Sequence, residues 1–500
     1  MPVLAVDIGT STIKAAVVDF DRGILASASE EIPLTRPEPG AAEHDPQLLL
    51  NKFKSVVTRV AVEEVEALAL SGYLFGLVPL GKGGTPLSGV ITWLDRRPAE
   101  AVSRILERVS PRELYEKTGC PPLGIYQLAK IVWLRERKEK TYREAEAFLD
   151  AKGFIVYNLL GEKLMDRSSA SGSQLLNIRK LEWEYELLEE LGVDAEKLPE
   201  LEDSVKVVGE IPADRARELG LRSSTPLVLG VFDGAAVSVG EGALGRGVAS
   251  SHLSTSTMLR VAHSEPLVDR FDEMRFQTYY LFDGVWLPGG AVNSAGVVLR
   301  WFRDNMGQVE RMVARTTGLD PYDLLAREAE VAPPGSGGLL FLPYISGERF
   351  PTFGNYATGV LFGLKEHHTR SHVVRSFMEG VMLNLRLVAE ALRENGLQFS
   401  EVRVTGGGAR SRLWLQIMAD VLEVPVKASV KGDAALWGTS LLALKATGSI
   451  SDVARAAEEK FTPDLEVKPD EENTAVYREA FRKFEKLLSA VKPLFRELSA

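Results

Sequence analysis

Two segments of the chain set Thr-Ser-Thr between β-rich runs and follow it with a basic residue. Asp7-Ile8-Gly9-Thr10-Ser11-Thr12-Ile13-Lys14 stands near the start, and Leu253-Ser254-Thr255-Ser256-Thr257-Met258-Leu259-Arg260 stands at the middle. Thr10 and Thr255 lie 245 residues apart in a chain of 500. Self-similarity at half the length predicts a duplicated supersecondary unit. A chain this long exceeds what one core supports. Two domains are therefore expected, 1–246 and 247–500, with the break at Gly245-Arg246-Gly247. Two hydroxyl-rich hairpins, one from each half, are expected to face each other across a cleft and hold a polyphosphate.

The local pattern reads as α/β. Residues 2–8 and 13–20 are predicted strands around the first Thr-Ser-Thr turn, with a third near 23–31. Asp45 before Pro46 predicts a capped helix running to about Val62. Short strands follow at Ala67 to Ser71 and Val90 to Trp93. Helical periodicity returns at Pro98 to Val109, Gln127 to Lys138 and Trp183 to Leu191. Pro226 to Phe232 is an unbroken apolar run, as expected of a buried strand that delivers Asp233 at its end. The second half repeats the logic, with helices at Val292 to Asn305, Ser371 to Asn395 and Ser411 to Leu422, a strand at Val402 to Thr405, and a charged amphipathic helix from Glu471.

Composition narrows the class. A net charge of −10 argues against a nucleic-acid partner, which would need a basic face. The single cysteine, Cys120, cannot form an intrachain disulfide and suits a reducing cytoplasm; between Gly119 and Pro121 it reads as a buried small hydrophobe. No signal-like segment opens the sequence and no run of about 18 apolar residues occurs, so no membrane span is expected.

Three familiar patterns are decoys. Gly76-Leu77-Val78-Pro79-Leu80-Gly81-Lys82 imitates a P-loop, but Gly83 stands where a metal-binding hydroxyl belongs, and a hairpin turn is expected. Gly240-Glu241-Gly242-Ala243-Leu244-Gly245 has dinucleotide-loop spacing but follows a helix and precedes a strand, the reverse of that site. His367, His368 and His372 lack a further ligand nearby and read as a solvated helix start.

The remaining motifs carry chemistry. In the first hairpin Gly9 permits a tight turn, Thr10, Ser11 and Thr12 offer hydroxyl and N–H donors, and Lys14 supplies charge for a phosphate. Asp7 is placed to hold Mg²⁺ through water, since hard cations prefer oxygen ligands. Gly406-Gly407-Gly408-Ala409-Arg410-Ser411 lies between a strand and a helix, where missing side chains admit a flat ligand and the helix N-terminus favours an anion. Asp233 is the candidate base, because a hydroxyl attacking a γ-phosphate needs a rigidly held proton acceptor.

Together these motifs resemble, in order and over nearly the whole chain, the FGGY carbohydrate kinases. The resemblance implies two actin-like (ribonuclease-H-like) domains with a catalytic cleft between them. Asp7 to Lys14 resembles the family's first phosphate hairpin and Ile91 to Arg97 its substrate-side segment. Asp233-Gly234 falls where the family keeps its general base, which is also a second candidate to touch the metal. Ser254-Thr255-Ser256 resembles the second phosphate hairpin, Gly289 to Gly296 the nucleotide-side loop, Tyr344 to Pro351 a further family phrase, and Gly406 to Arg412 the adenosine signature. The implied reaction is phosphorylation of a sugar, sugar acid or polyol hydroxyl by Mg·ATP.

On this resemblance the acceptor lies against Leu74, Phe75, Trp93, Asp95, Arg96 and Tyr126. ATP lies against Ser254, Thr255, Gly296, Gly407, Gly408 and Arg412. Lys130 to Leu134, Asp233-Gly234, Arg260 and Gly289 to Asn293 lean towards the gluconate-kinase branch, while xylulose kinases share most of the other motifs. Two positions depart from the family: Leu74-Phe75 replaces the usual Met-His, and Ser254 replaces a common glycine. A homodimer is compatible with the resemblance. The competing class is an actin-like or chaperone-like ATPase; the Trp93–Asp95 segment and Asp233 favour the kinase.

Overall fold

The computed structural model describes residues 2–61, 64–350, 356–430 and 432–498. Val62 and Pro351 lie outside them. In the first half, β1 (Val3–Ile8), β2 (Thr12–Asp19) and β3 (Gly23–Glu31) form an antiparallel meander, and β4 (Leu68–Gly72) and β6 (Pro226–Val228) extend it in parallel from β1. The edge strand β5 (Val207–Glu210) runs antiparallel to β6, giving the order β5-β6-β4-β1-β2-β3.

The second half repeats this plan. Strands β7 (Val248–His252), β8 (Thr257–Val261) and β10 (Trp286–Val292) form the meander, and β11 (Glu401–Thr405) and β12 (Val426–Ala428) continue it in parallel. Antiparallel strands β9 (Gln277–Tyr280) and β13 (Leu465–Val467) close the edges, giving β9-β10-β8-β7-β11-β12-β13. Both Thr-Ser-Thr phrases therefore join the first two strands of a meander.

The central strands are buried on both faces, so they read as continuous apolar runs rather than alternating ones. In β1, Leu4, Val6 and Ile8 face helices α1 (Pro46–Val60) and α2 (Ala151–Leu160). Asp45 caps α1 by accepting from Leu48 N at 2.8 Å. Val3 and Ala5 face the opposite way, towards α3 (Asp233–Gly240) and the C-half helix α7 (Ala434–Ala446). In the second half, α4 (Gly296–Asn305), α5 (Arg370–Glu394) and α6 (Arg412–Leu422) cover the outer face of the sheet.

Helices α3 and α7 lie between the two sheets and meet at backbone distance. A Cβ added to Gly240 would collide with the Ala434 carbonyl, and one added to Gly438 with the Ala236 carbonyl. Each helix thus presents an Ala and a Gly four residues apart, one turn of small surface that removes side-chain bulk from the crossing.

Several elements depart from expectation. The apolar run at 226–232 is strand only to Val228; Gly230 takes φ +63° with its Cα against the Leu70 carbonyl, where no side chain fits. Asp233 consequently opens a helix rather than ending a strand. The expected helix from Val292 begins at Gly296, because β10 still pairs with β8 through Thr257 and Val292. The expected helix at 98–109 is a short 3₁₀ turn followed by Ala101–Leu106, and the strand at 90–93 is only Val90–Ile91. The P-loop mimic is a strand, Val78–Leu80, with a tight turn at Lys82–Gly84. Cys120 is fully buried, and burial pushes its thiol well above the usual range.

The crossing makes a stability prediction. Gly240→Ala and Gly438→Ala should each cost about 2 kcal/mol, because overpacking against backbone outweighs the helix-propensity gain. Gly245→Ala, whose Cβ would find only Val248 Cγ2 at 3.8 Å, should stay within about 0.5 kcal/mol. Denaturant unfolding of the three variants checks this.

Candidate active site

The C-terminal ends of β1, β4, β7 and β11 all open between the halves, and the candidate residues gather there. In the first hairpin Gly9 N donates to Thr12 O at 3.0 Å, and a Cβ on Gly9 would stand 2.8 Å from that oxygen, so the turn needs glycine. Thr10 and Thr12 are half-buried and Ser11 is exposed. Asp7 faces Lys14 across the β1–β2 ladder and accepts from Ser71 Oγ of β4 at 2.8 Å. Its carboxyl, 7% exposed, is pushed up to about 7 by burial and then by the charges of Asp233 and Asp433. Lys14 Nζ donates to Asp433 Oδ2 at 2.6 Å, a bond between the first hairpin and the cap of α7.

Asp233, the first residue of α3, keeps an open edge yet lies deep in the cleft. Burial pushes its carboxyl up to about 6, opposed by the Gly234 N–H (2.7 Å) and by the charges of Arg260, Lys152 and Arg349. Lys152 is buried, donates to Val231 O at 3.1 Å and pairs with Asp166 at 2.6 Å. It therefore fixes the backbone that presents Asp233.

Beside Asp233 lies an aromatic and cationic wall. Phe75 packs edge-on against Tyr126 with ring centroids 5.3 Å apart, and adopts φ +72°, an uncommon conformation for a bulky residue. Buried Lys130 caps the Phe75 carbonyl and donates to Ile91 O at 3.2 Å, tying the Leu74-Phe75 turn to the strand before Trp93. Burial brings its ammonium down to about 7. Leu74 is buried where Gly172 leaves room for it. Trp93 Nε1 donates to Thr10 Oγ1 at 3.0 Å, and Arg349 from the other half sits 5.2 Å over the Trp93 ring. Arg260 is 5% exposed; its guanidinium lies 4.7 Å from the Tyr279 ring and 5.3 Å from Phe232, and its Nη1 has no hydrogen-bond partner among the described residues.

In the second half, Gly296 N donates to Ser254 O at 2.8 Å and Gly408 N to Leu253 O at 2.9 Å, so the hairpin, the start of α4 and the glycine loop form one surface. Side chains would not fit there: a Cβ on Gly296 would lie 2.5 Å from Ser254 O, and one on Gly408 2.5 Å from Leu253 Cγ. Gly407 is exposed with open space above it, and Arg412 is exposed at the first position of α6. Arg300 Nη2 donates to Thr255 Oγ1 at 2.7 Å, while Ser254 Oγ accepts from Thr255 N at 2.6 Å.

Two further residues expected on the acceptor side are held by other groups. The Asp95 carboxylate is buried in a network with Arg97 (2.6 Å to Nη2), Glu38 and Glu43, and accepts from Ala42 N at 3.0 Å. Arg96 is exposed and is held through its backbone N–H on Gly40 O at 2.9 Å. The His367, His368 and His372 rings cluster at the start of α5, where His372 completes a capping box. Among the described residues no group of three or more His, Cys, Asp or Glu could hold a metal.

Asp433, Lys152 and Arg300 do not stand out in the sequence as site residues, and Arg349 lies within the Tyr344 to Pro351 phrase. Two of them carried a signal: Asp433 stands where a helix cap belongs, and Lys152 is the one charge in an otherwise apolar or small helical run.

The chain matches the model of the FGGY family of carbohydrate kinases, N-terminal domain, over residues 2–240, and that of the C-terminal domain over 249–447. It is 31% identical to a gluconokinase of Bacillus subtilis over 453 residues, covering 89% of this chain and 88% of that protein. It is 26% identical to a xylulose kinase of the same organism over 498 residues, covering 98% and 97%. Among solved structures, gluconate kinase from Lactobacillus acidophilus superposes with a TM-score of 0.92 at 27% identity, over 99% of both chains. The ligand-bound xylulose kinase from Lactobacillus acidophilus gives the same values. With both family domains matched in order around an interdomain cleft, the chain belongs to the FGGY family of carbohydrate kinases and is an ATP-dependent sugar kinase.

Proposed function

We propose that the acceptor is a sugar acid, gluconate or a close analogue, and that Asp233 accepts the proton of the hydroxyl that attacks the γ-phosphate. The observation that carries the acid is Arg260. A buried guanidinium with an unsatisfied Nη1 beside the base is costly unless an anionic group completes it. Arg349 adds a second positive charge to the same wall, and the match to gluconokinases supports the reading. The second reading, a neutral ketose or polyol, rests on the equally good structural match to xylulose kinase; in it Arg260 serves only to hold Asp233 ionised.

In this reading 1–246 binds the acceptor and 247–500 the nucleotide. Phe75, Trp93 and Tyr126 wall the acceptor, with Leu74 behind them. Asp95 acts through Arg97 on the shape of that wall, and Arg96 lies at its rim. Ser254, Thr255, Gly296, Gly407, Gly408 and Arg412 line the ATP side, while Thr10, Ser11, Thr12 and Lys14 approach the transferred phosphate. The donor set suits Mg²⁺: hard oxygens, with Asp7 burdened by neighbouring negative charge. Asp7 would hold the ion through water, with Asp233 a second oxygen nearby. When bound, the ion neutralises phosphate charge. Closure of the halves would exclude water, so that phosphate passes to the sugar rather than to hydrolysis. A cytoplasmic location fits the supply of ATP; among the described residues no helix is long and apolar enough to cross a membrane.

Two measurements test the roles. Arg260→Met should raise KM for gluconate about 10- to 100-fold, the worth of a charged hydrogen bond, and leave KM for ATP nearly unchanged. An unchanged gluconate KM would reject the acid reading. Asp233→Asn should lower kcat by about a thousandfold while ATP still binds.

The base also fixes a pH profile. Asp233 must be ionised, so kcat/KM for the acceptor should fall below its pKa of about 6. Lys152 holds that value down, so Lys152→Met should move the acid limb to higher pH. A limb that stays in place would remove Lys152 from this role.

A further inference from the structure

The repeat that relates the two hairpins also assigns a counterpart to Asp7. The 245-residue offset between Thr10 and Thr255 carries Asp7 onto His252. The backbone follows the same correspondence. Asp7 lies beside Ser71 on the neighbouring parallel strand, and His252 lies beside Thr405. Each side chain is bonded by that hydroxyl: Ser71 Oγ to Asp7 Oδ1 at 2.8 Å, and Thr405 Oγ1 to His252 Nδ1 at 3.1 Å. A glycine follows each hydroxyl residue, Gly72 and Gly406.

The second half extends this pair inward. Thr405 Oγ1 lies 2.7 Å from Glu241 Oε1, and Ser250 Oγ lies 2.5 Å from Glu241 Oε2 and 3.0 Å from Ser238 Oγ. Glu241 is fully buried at the end of α3, with the Arg403 guanidinium on its carbonyl at 3.1 Å. His252 is half-buried; its Cε1 lies 3.2 Å from where a Gly406 Cβ would stand, and the charged groups facing the ring are Asp433 and Lys14. With Nδ1 held by Thr405, Nε2 is the ring nitrogen left to meet a ligand near Lys14 of the first hairpin.

A threonine hydroxyl has one hydrogen. With Glu241 ionised, Thr405 donates to it and must accept from His252 Nδ1–H, which leaves a lone pair on Nε2. With Glu241 protonated on Oε1, the carboxyl donates to Thr405, Thr405 donates to Nδ1, and the ring hydrogen sits on Nε2. On passing between the two states each hydrogen shifts one bond along the chain, and one proton leaves Nε2 for the cleft.

We propose that His252 is a nucleotide-phosphate ligand, donating from Nε2 when a proton on Glu241 is relayed through Thr405. The proposal rests on the reading of the second hairpin as part of the ATP site. Burial pushes Glu241 up to about 8 and lowers His252, so near neutral pH the carboxyl is protonated and the ring is uncharged. Lys14, raised chiefly by Asp433 against the effect of burial, stays an ammonium over this range.

The test is calorimetric titration of ATP with magnesium, without acceptor, between pH 7 and 9, so it is independent of which sugar is phosphorylated. Wild type should lose about tenfold in affinity as pH rises through 8, the worth of one hydrogen bond to a charged acceptor. Glu241→Gln, which cannot ionise and donates to Thr405 with its amide nitrogen in the Oε1 position, should bind tightly without that step. His252→Leu should be about tenfold weaker at every pH, and His252→Gln, which restores an N–H, should recover most of the loss. Thr405→Val should abolish the pH step with the ring in place, and serves if His252→Leu does not fold. Wild-type affinity in His252→Leu, or a retained pH step in Glu241→Gln, would overturn the proposal. No ATP binding by wild type would overturn the underlying nucleotide-site reading.

Discussion

Backbone contact between α3 and α7 is the constraint on which the rest of the molecule depends. The two helices sit between the sheets, and the approach of Gly240 to Ala434 and of Gly438 to Ala236 sets their separation. Asp233 opens one helix and Asp433 caps the other, so the same crossing brings their charges to bear on Asp7. Helix α7 follows the last parallel strand of the second sheet but packs on β1 and β4 of the first through Leu436, Leu441 and Leu442, with Trp437 stacked on Phe20 at 6.3 Å. Neither half completes its inner face alone.

Charge burial then does the chemical work. The cleft concentrates Asp7, Asp233 and Asp433 against Lys14, Lys152, Arg260 and Arg349 in a chain whose net charge is −10. Desolvation raises Asp7 and Asp233 into the range where a carboxylate can accept a proton near neutrality, and the lysine and arginines keep Asp233 from rising further. Duplication supplies the frame, and the equivalent positions have diverged in residue type: Asp7 with Ser71 in one half, His252 with Thr405 in the other.

Much of this was legible in the residues because local chemistry decided it. Gly9 in a tight turn, Asp45 before Pro46 and Ser411 before an amphipathic run each specify their own geometry, and the hairpins, α1 and α6 form where those signals stand. What was illegible depends on distant contacts. Asp233 moved from a strand end to a helix start because Gly230 bends against Leu70, a contact between residues 160 positions apart. Asp95, expected beside the acceptor, is bonded by Arg97, which Glu43 holds in turn, and by the Ala42 N–H, contacts that reach across 53 positions of sequence. Lys14, read as charge for a phosphate, is also bonded to Asp433 across 419 positions, which no local pattern encodes.

The central claim is that the cleft transfers phosphate to an acidic sugar through Asp233. Its most direct test is the selectivity of the wild-type protein, measured as kcat/KM from ADP release with saturating ATP and magnesium across matched aldonates, ketoses and polyols. The account predicts that release depends on acceptor and that gluconate or a related aldonate exceeds xylulose and glycerol by at least about tenfold. Equal or greater efficiency with a neutral ketose would contradict it.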